Sequence, residues 1–122
     1  MAVEEEQHKM SSIMLDEKDV ELVHSRGMDS IKKSAYHFVR TKLAPSKPID
    51  DGEQIPLEGN PVFKAQHATG TDSRANLEKN FGIERGRQLT EKEIDEVVEA
   101  IIAWIDDEVK RSDKKQAKID EF

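Results

Sequence analysis

The sequence predicts a mainly α fold, a compact single-domain helical bundle of about four to five helices. Three observations carry this expectation. Apolar residues recur every three or four positions in two long segments, Ile31 to Leu43 and Ile94 to Val109. Residues suited to capping stand just before the helical patterns, and glycines stand just after several of them. Three of the four prolines fall within 44–59, a stretch between the two long segments. A chain of 122 residues fits one domain.

The elements follow in order. Residues 1–12 are polar and charged, and 1–14 are expected to form a flexible N-terminal segment. Asp16 reads as the N-cap of a first helix whose apolar residues are Val20, Leu22 and Val23, with Gly27 as its left-handed end. Asp29 reads as the cap of the next, where Ile31, Ala35, Phe38, Val39 and Leu43 share a face. Pro45 and Pro48 stop it. Segment 44–60 is irregular, tacked down by Ile49, Ile55 and Leu57, with room for a short strand pair. Asn60-Pro61 is a helix start, with Asn as N-cap and Pro at the first helical position. Gly70 ends that helix, Asp72 is the expected cap of another, and Gly82 ends it. Thr90 and Glu93 form a capping box. Beyond it Ile94, Val97, Val98, Ile101, Ile102, Trp104, Ile105 and Val109 make an apolar face wide enough to be covered by more than one element. The helical domain is expected over 15–111, followed by a charged tail, 112–122.

Composition removes several functions. The net charge is −7, and phosphate binding depends on Lys and Arg, so direct nucleic-acid binding is not expected. There is no cysteine, which excludes disulfides, iron–sulfur clusters, thiolate zinc sites and cysteine nucleophiles. No stretch approaches the roughly 20 apolar residues of a membrane span, and MAVEEEQHKM lacks the apolar run of a signal peptide. A cytoplasmic location is expected.

Segment 60–90 holds the candidate chemistry. His67 follows Gln66 and precedes Asp72 and Ser73, the residue types of a hydrolytic triad. No nucleophile elbow accompanies them. The competing reading is structural, with Gln66 and His67 bonding backbone groups to fix the irregular segment. Arg85 and Arg87, just ahead of the last helix, could hold a phosphate or carboxylate. The alternative is pairing with Glu84 and Glu91, or with acids of the first helix. The four histidines, His8, His24, His37 and His67, show no zinc spacing, so neither a metal nor a cofactor is expected. Asp50, Asp51 and Glu53 lack the spacing of a calcium loop.

The chain keeps Gly59, Pro61, Val62, Phe63, Ala65, Gln66, His67, Ala68, Thr69, Thr71, Arg74, Leu77, Lys79, Ile83, Gly86, Arg87, Leu89 and Thr90 of the pattern G-H-P-V-F-x-A-Q-H-A-T-A-T-C-C-R-x-C-L-x-K-W-H-x-I-x-x-G-R-x-L-T. R-G-M-D-S-I, K-L-A-P, D-G-x-Q-x-P and I-x-x-W-I match as well. On these residues it resembles a family of small bacterial proteins known only as a domain of unknown function. Asp72, Ser73 and Asn76 stand where that pattern has cysteines, Asn80 and Phe81 where it has Trp-His, and Asn60 where it has its first His. The resemblance implies the scaffold and no reaction.

Three functions are compatible with these residues. The leading one is a binding domain, without a complete catalytic motif, for another protein or a small anion, with Gln66, His67, Arg74, Arg85 and Arg87 as ligand-binding candidates. The second is a small enzyme using Gln66, His67 and Asp72, with Arg85 and Arg87 on an anionic substrate. The third is an acidic decoy of a nucleic-acid-binding protein, presenting Glu4, Glu5 and Glu6 with Asp106, Asp107 and Glu108. A homodimer through the last helix is open.

Overall fold

The computed structural model describes residues 13–47 and 55–120, with side chains through 115. His8, Glu4, Glu5, Glu6, Ile49 and the turn from Asp50 to Glu53 lie outside the described residues. Five α-helices are present among the described ones: α1 Glu17–Arg26, α2 Met28–Phe38, α3 Pro61–Thr69, α4 Arg74–Phe81 and α5 Glu91–Asp120. The protein is mainly α, as the periodicity requires. The described parts of 44–60 contain no strand. They cross the surface as bends, and the Ile55 carbonyl is engaged by a side chain instead of a strand partner.

The long helix α5 is the spine, packed against α3, α2 and α1. Its face Ile94, Val97, Val98, Ile101, Ile105 and Val109 is buried, and Ile31, Ala35, Val39, Val62, Ala65 and Leu77 meet it in one core. The sequence has only four Phe, one Trp and one Tyr, so this core is aliphatic. Half-buried Tyr36, Phe38, Phe81 and Trp104 line its margins. The helix runs to Asp120, past the Arg111 boundary that the charge pattern suggests.

The caps refine the expected starts. Asp16 caps α1 by a reciprocal box: its side chain accepts from the Asp19 amide, and Asp19 accepts from the Asp16 amide. Gly27 has the expected positive φ of 84°, but with ψ of 150° it does not sit in the left-handed helical well. It serves as the cap residue of α2 as well, so Asp29 lies inside the first turn instead of capping it. A glycine joint lets α2 begin at once, leaving no room for Asp29 outside the helix. In the same way Ser73, not Asp72, caps α4, because Ser73 Oγ accepts the Asn76 amide. Asp72 stands one residue further out, and its carboxylate accepts from Asn76 Nδ2. Asn60, Pro61, Thr90 and Glu93 act as their types dictate.

The second helix does not stop cleanly. Its last turn, Val39–Leu43, widens into a π-helical turn in which the Ala44 amide bonds the Val39 carbonyl. Val39, Leu43 and Ala44 are all buried by this turn.

Gly70 closes α3 in the left-handed conformation, φ 69° and ψ 36°, with the Gly70 and Thr71 amides both reaching the Gln66 carbonyl. A Cβ there would lie 2.2 Å from Asn80 Nδ2, the group that bonds the Gly70 carbonyl. Gly70→Ala is therefore expected to cost about 1–2 kcal/mol, from the strained φ and displacement of Asn80. Thermal unfolding should show a fall of several degrees, and a Tm equal to the parent's would contradict this account of the turn.

Candidate functional site

The candidate residues divide by what they touch. Gln66 is fully buried on α3, and its amide nitrogen approaches the Thr71 carbonyl at 3.4 Å. His67 is next, with both ring nitrogens engaged. Nε2 lies 2.6 Å from the Ile55 carbonyl oxygen and Nδ1 lies 3.3 Å from Asp72 Oδ2. Asp72 thus lies beside Nδ1 without the hydrogen bond of a triad, and the nitrogen that would serve a nucleophile faces the Ile55 carbonyl. Ser73 Oγ accepts from the Asn76 amide as a helix cap. Thr69 and Thr71 hydroxyls meet at 3.0 Å, and Thr69 also donates to the Ala65 carbonyl.

Arg74 is 2% exposed, and its guanidinium serves four backbone carbonyls. Nη1 donates to Leu43 at 3.1 Å and Pro45 at 3.0 Å. Nη2 donates to Glu84 at 2.6 Å and Arg87 at 2.8 Å. These carbonyls belong to the end of the π turn and to the loop 82–90, whose Leu89 amide also bonds the Ala44 carbonyl. Arg74 is a ligand of the fold itself.

Arg87 pairs with Glu93 through two bonds, 2.8 and 2.7 Å, where the sequence suggested Glu84 or Glu91. The reason is local: the capping box turns the Glu93 carboxylate back toward the loop, within reach of Arg87. Glu91 instead takes Arg40 of the π turn in a two-pronged pair, and Arg40 lies over the Tyr36 ring. The Arg85 amide bonds Glu78. Of the acids at the far end of α5, Glu108 is not an open surface charge, since it is half-buried and accepts from the Leu15 amide and Arg111. His24 and His37 are exposed.

Lys64 is the residue the sequence reading missed. It is 5% exposed, with Nζ 2.6 Å from Asp19, 3.5 Å from Asp16 and 3.7 Å from Glu58. Burial works against its charge, but the Asp19 hydrogen bond and the surrounding carboxylates outweigh it and raise its pKa. The Asp19 amide, with help from Lys64, holds Asp16 below the ordinary carboxylate range. An ammonium kept protonated cannot act as a nucleophile. It ties the start of α1 and segment 55–60 to α3. The one available signal was its place among Pro61, Val62, Ala65 and Gln66, all buried on a helix too short to show periodicity.

No group of histidine, aspartate and glutamate side chains among the described residues is arranged to hold a metal ion. No helix among them is long and apolar enough to cross a membrane.

The Arg87 guanidinium, and then the Thr90 amide, draw the Glu93 pKa from 4.5 down to about 2, against an opposing contribution from burial. A depressed carboxylate pKa means stability present above pH 4.5 and lost as the pH falls toward about 2. Glu93→Gln keeps the reach back to the Thr90 amide and loses the charge. Urea midpoints of parent and variant should differ most near neutrality and converge as the pH drops through that window. A gap independent of pH would contradict the pairing.

The model of a family described as a domain of unknown function, DUF4186, matches residues 2–106. The chain belongs to that family. No solved structure matches it.

Proposed function

We propose that this DUF4186 domain is a non-catalytic binding module for another protein, and that its contact surface lies where α1 and segment 55–60 meet around Lys64. The observation that carries this is the internal employment of the side chains that chemistry would need. His67 faces two acceptors, Ser73 caps a helix, Arg74 holds backbone carbonyls and Arg87 holds Glu93. This disfavours both the enzyme and the small-anion site.

The same structure leaves two large apolar side chains in solvent, Met14 at 48% and Leu57 at 44% exposure. They belong to the two segments whose acids, Asp16 and Glu58, both converge on Lys64. Scattered apolar side chains are ordinary on a surface. Here each lies within two residues of an exposed carboxylate that reaches Lys64, which suits a partner with an apolar centre and a basic rim.

The test pairs two measurements. Affinity enrichment from an extract of the source cells should yield a protein that Met14→Glu/Leu57→Glu retains at least tenfold less, with the circular dichroism spectrum unchanged. A thermal-shift series with phosphorylated and carboxylate metabolites should leave Tm in place. A site at 100 times its Kd would add about 2.7 kcal/mol and be plain to see. Equal enrichment by parent and double variant, or a metabolite that raises Tm, would overturn the proposal.

A further inference from the structure

We propose that α1 exchanges between two copies of this chain, with Gly27 straightening so that α1 and α2 run on as one helix and each α1 docks on the other copy. The partner is a second copy of this chain, and the inference does not rest on the contact surface proposed above.

The joint is a single residue, since α1 ends at Arg26 and α2 begins at Met28. Gly27 holds the turn at φ 84° and ψ 150°, a backbone conformation that residues with a side chain avoid. Space is not the obstacle, because a Cβ on Gly27 would meet nothing within 4 Å. The helical phase passes through the joint unbroken. Gly27 stands four residues after Val23 and four before Ile31, and residues four apart share one helix face. A straight helix therefore carries Val20, Val23, Gly27, Ile31 and Ala35 in one stripe. No proline interrupts the sequence from Asp16 to Ala44. The hydrogen bonds on either side are already helical, from the Gly27 amide to the Val23 carbonyl and from the Ile31 amide to the Gly27 carbonyl. Straightening adds those between them, from the Met28, Asp29 and Ser30 amides to the His24, Ser25 and Arg26 carbonyls. Its local loss is the exposed 3.3 Å contact from Arg26 Nη2 to Ser34 Oγ.

Straightening carries α1 away from its own bundle. Lys64 then loses Asp19, 2.6 Å away, and Asp16. Glu58, at 3.7 Å, remains. An ammonium stripped of its main partner is costly, so the vacated place selects an acid at the start of a helix. The α1 of a second copy supplies it, together with the other contacts made there. Val20 and Val23 are buried in that place. The Leu15 amide reaches Glu108, and His24 reaches Asp113. Each contact is kept and only the chain that supplies it changes, which makes exchange of an identical element a low-cost route to a dimer.

The test compares the parent chain with Gly27→Ala. Alanine resists a positive φ and is the best helix former, where glycine is among the poorest. With two joints per dimer, the association constant should rise at least about tenfold, read by light scattering on size-exclusion fractions over a concentration series. The sequence has no cysteine, so exchange can be read directly. One chain carries Gly27→Ala with His24→Cys, and another carries Gly27→Ala with Asp113→Cys. These positions are exposed and touch across α1 and α5, within one chain before exchange and between two chains after it. Mixed in urea and refolded together, the two chains should be joined by a short bis-maleimide through the introduced thiols. If Gly27→Ala does not fold, the same two thiol chains with Gly27 kept, refolded together at raised concentration, decide by the same joined product. A Gly27→Ala chain that stays monomeric would overturn the proposal. So would refolded chains, in either background, whose thiols are not joined between copies. Every result is read without another protein, so the exchange and the proposed contact surface can fail separately.

Discussion

One buried guanidinium holds together the parts of this fold that helix packing cannot. A helix end leaves its last carbonyls without partners, and an irregular loop leaves still more. In this protein the π turn after α2 and the loop between α4 and α5 both turn carbonyls inward. Arg74 answers four of them from a single planar group. Arginine suits the task because its donors spread in a rigid fork, where a lysine ammonium offers three donors from one point. The Leu89 amide on the Ala44 carbonyl closes the same seam from the backbone side. The start of the spine helix is thereby fixed to the end of α2.

The opposite seam uses the same principle with a point charge. Lys64 lies under the α1 cap and segment 55–60, and its three carboxylates reach it from two different stretches of chain. A buried ion pair is weak support for stability in itself, because desolvation offsets much of the attraction. Its effect is positional: moving the start of α1 away would leave a buried charge without its main partner. Between the two seams, α3 carries His67, whose ring contacts link segment 55–60 to the start of α4. An aliphatic core supplies the cohesion, and buried polar groups fix where the connecting segments lie.

Much of this was legible in the residues. The Thr90–Glu93 box, the Asn60-Pro61 start, the left-handed ends at Gly70 and Gly82 and the buried face of α5 all follow from local rules. What was not legible depends on partners far away in sequence. Arg74 reads as a ligand-binding candidate until the carbonyls of Leu43 and Pro45 are brought to it across about thirty positions. Lys64 reads as a solvated lysine until Asp19 arrives from forty-five residues before it. The cap shifts, Gly27 for Asp29 and Ser73 for Asp72, show a different limit. Neighbouring residues can each cap, and other contacts choose: Asp72 accepts from Asn76 Nδ2 and lies beside His67. The Glu93 partner of Arg87 was missed because the choice among Glu84, Glu91 and Glu93 depends on the path of the loop.

The most direct test of this account is the equilibrium unfolding of Arg74→Lys, measured in urea beside the parent chain. The substitution keeps the positive charge and most of the length but removes the fork. A loss of at least about 3 kcal/mol is expected, because one buried and three partly buried carbonyls lose their donors while a charge stays buried. A variant that unfolds within about 1 kcal/mol of the parent would show that the seam holds without the guanidinium.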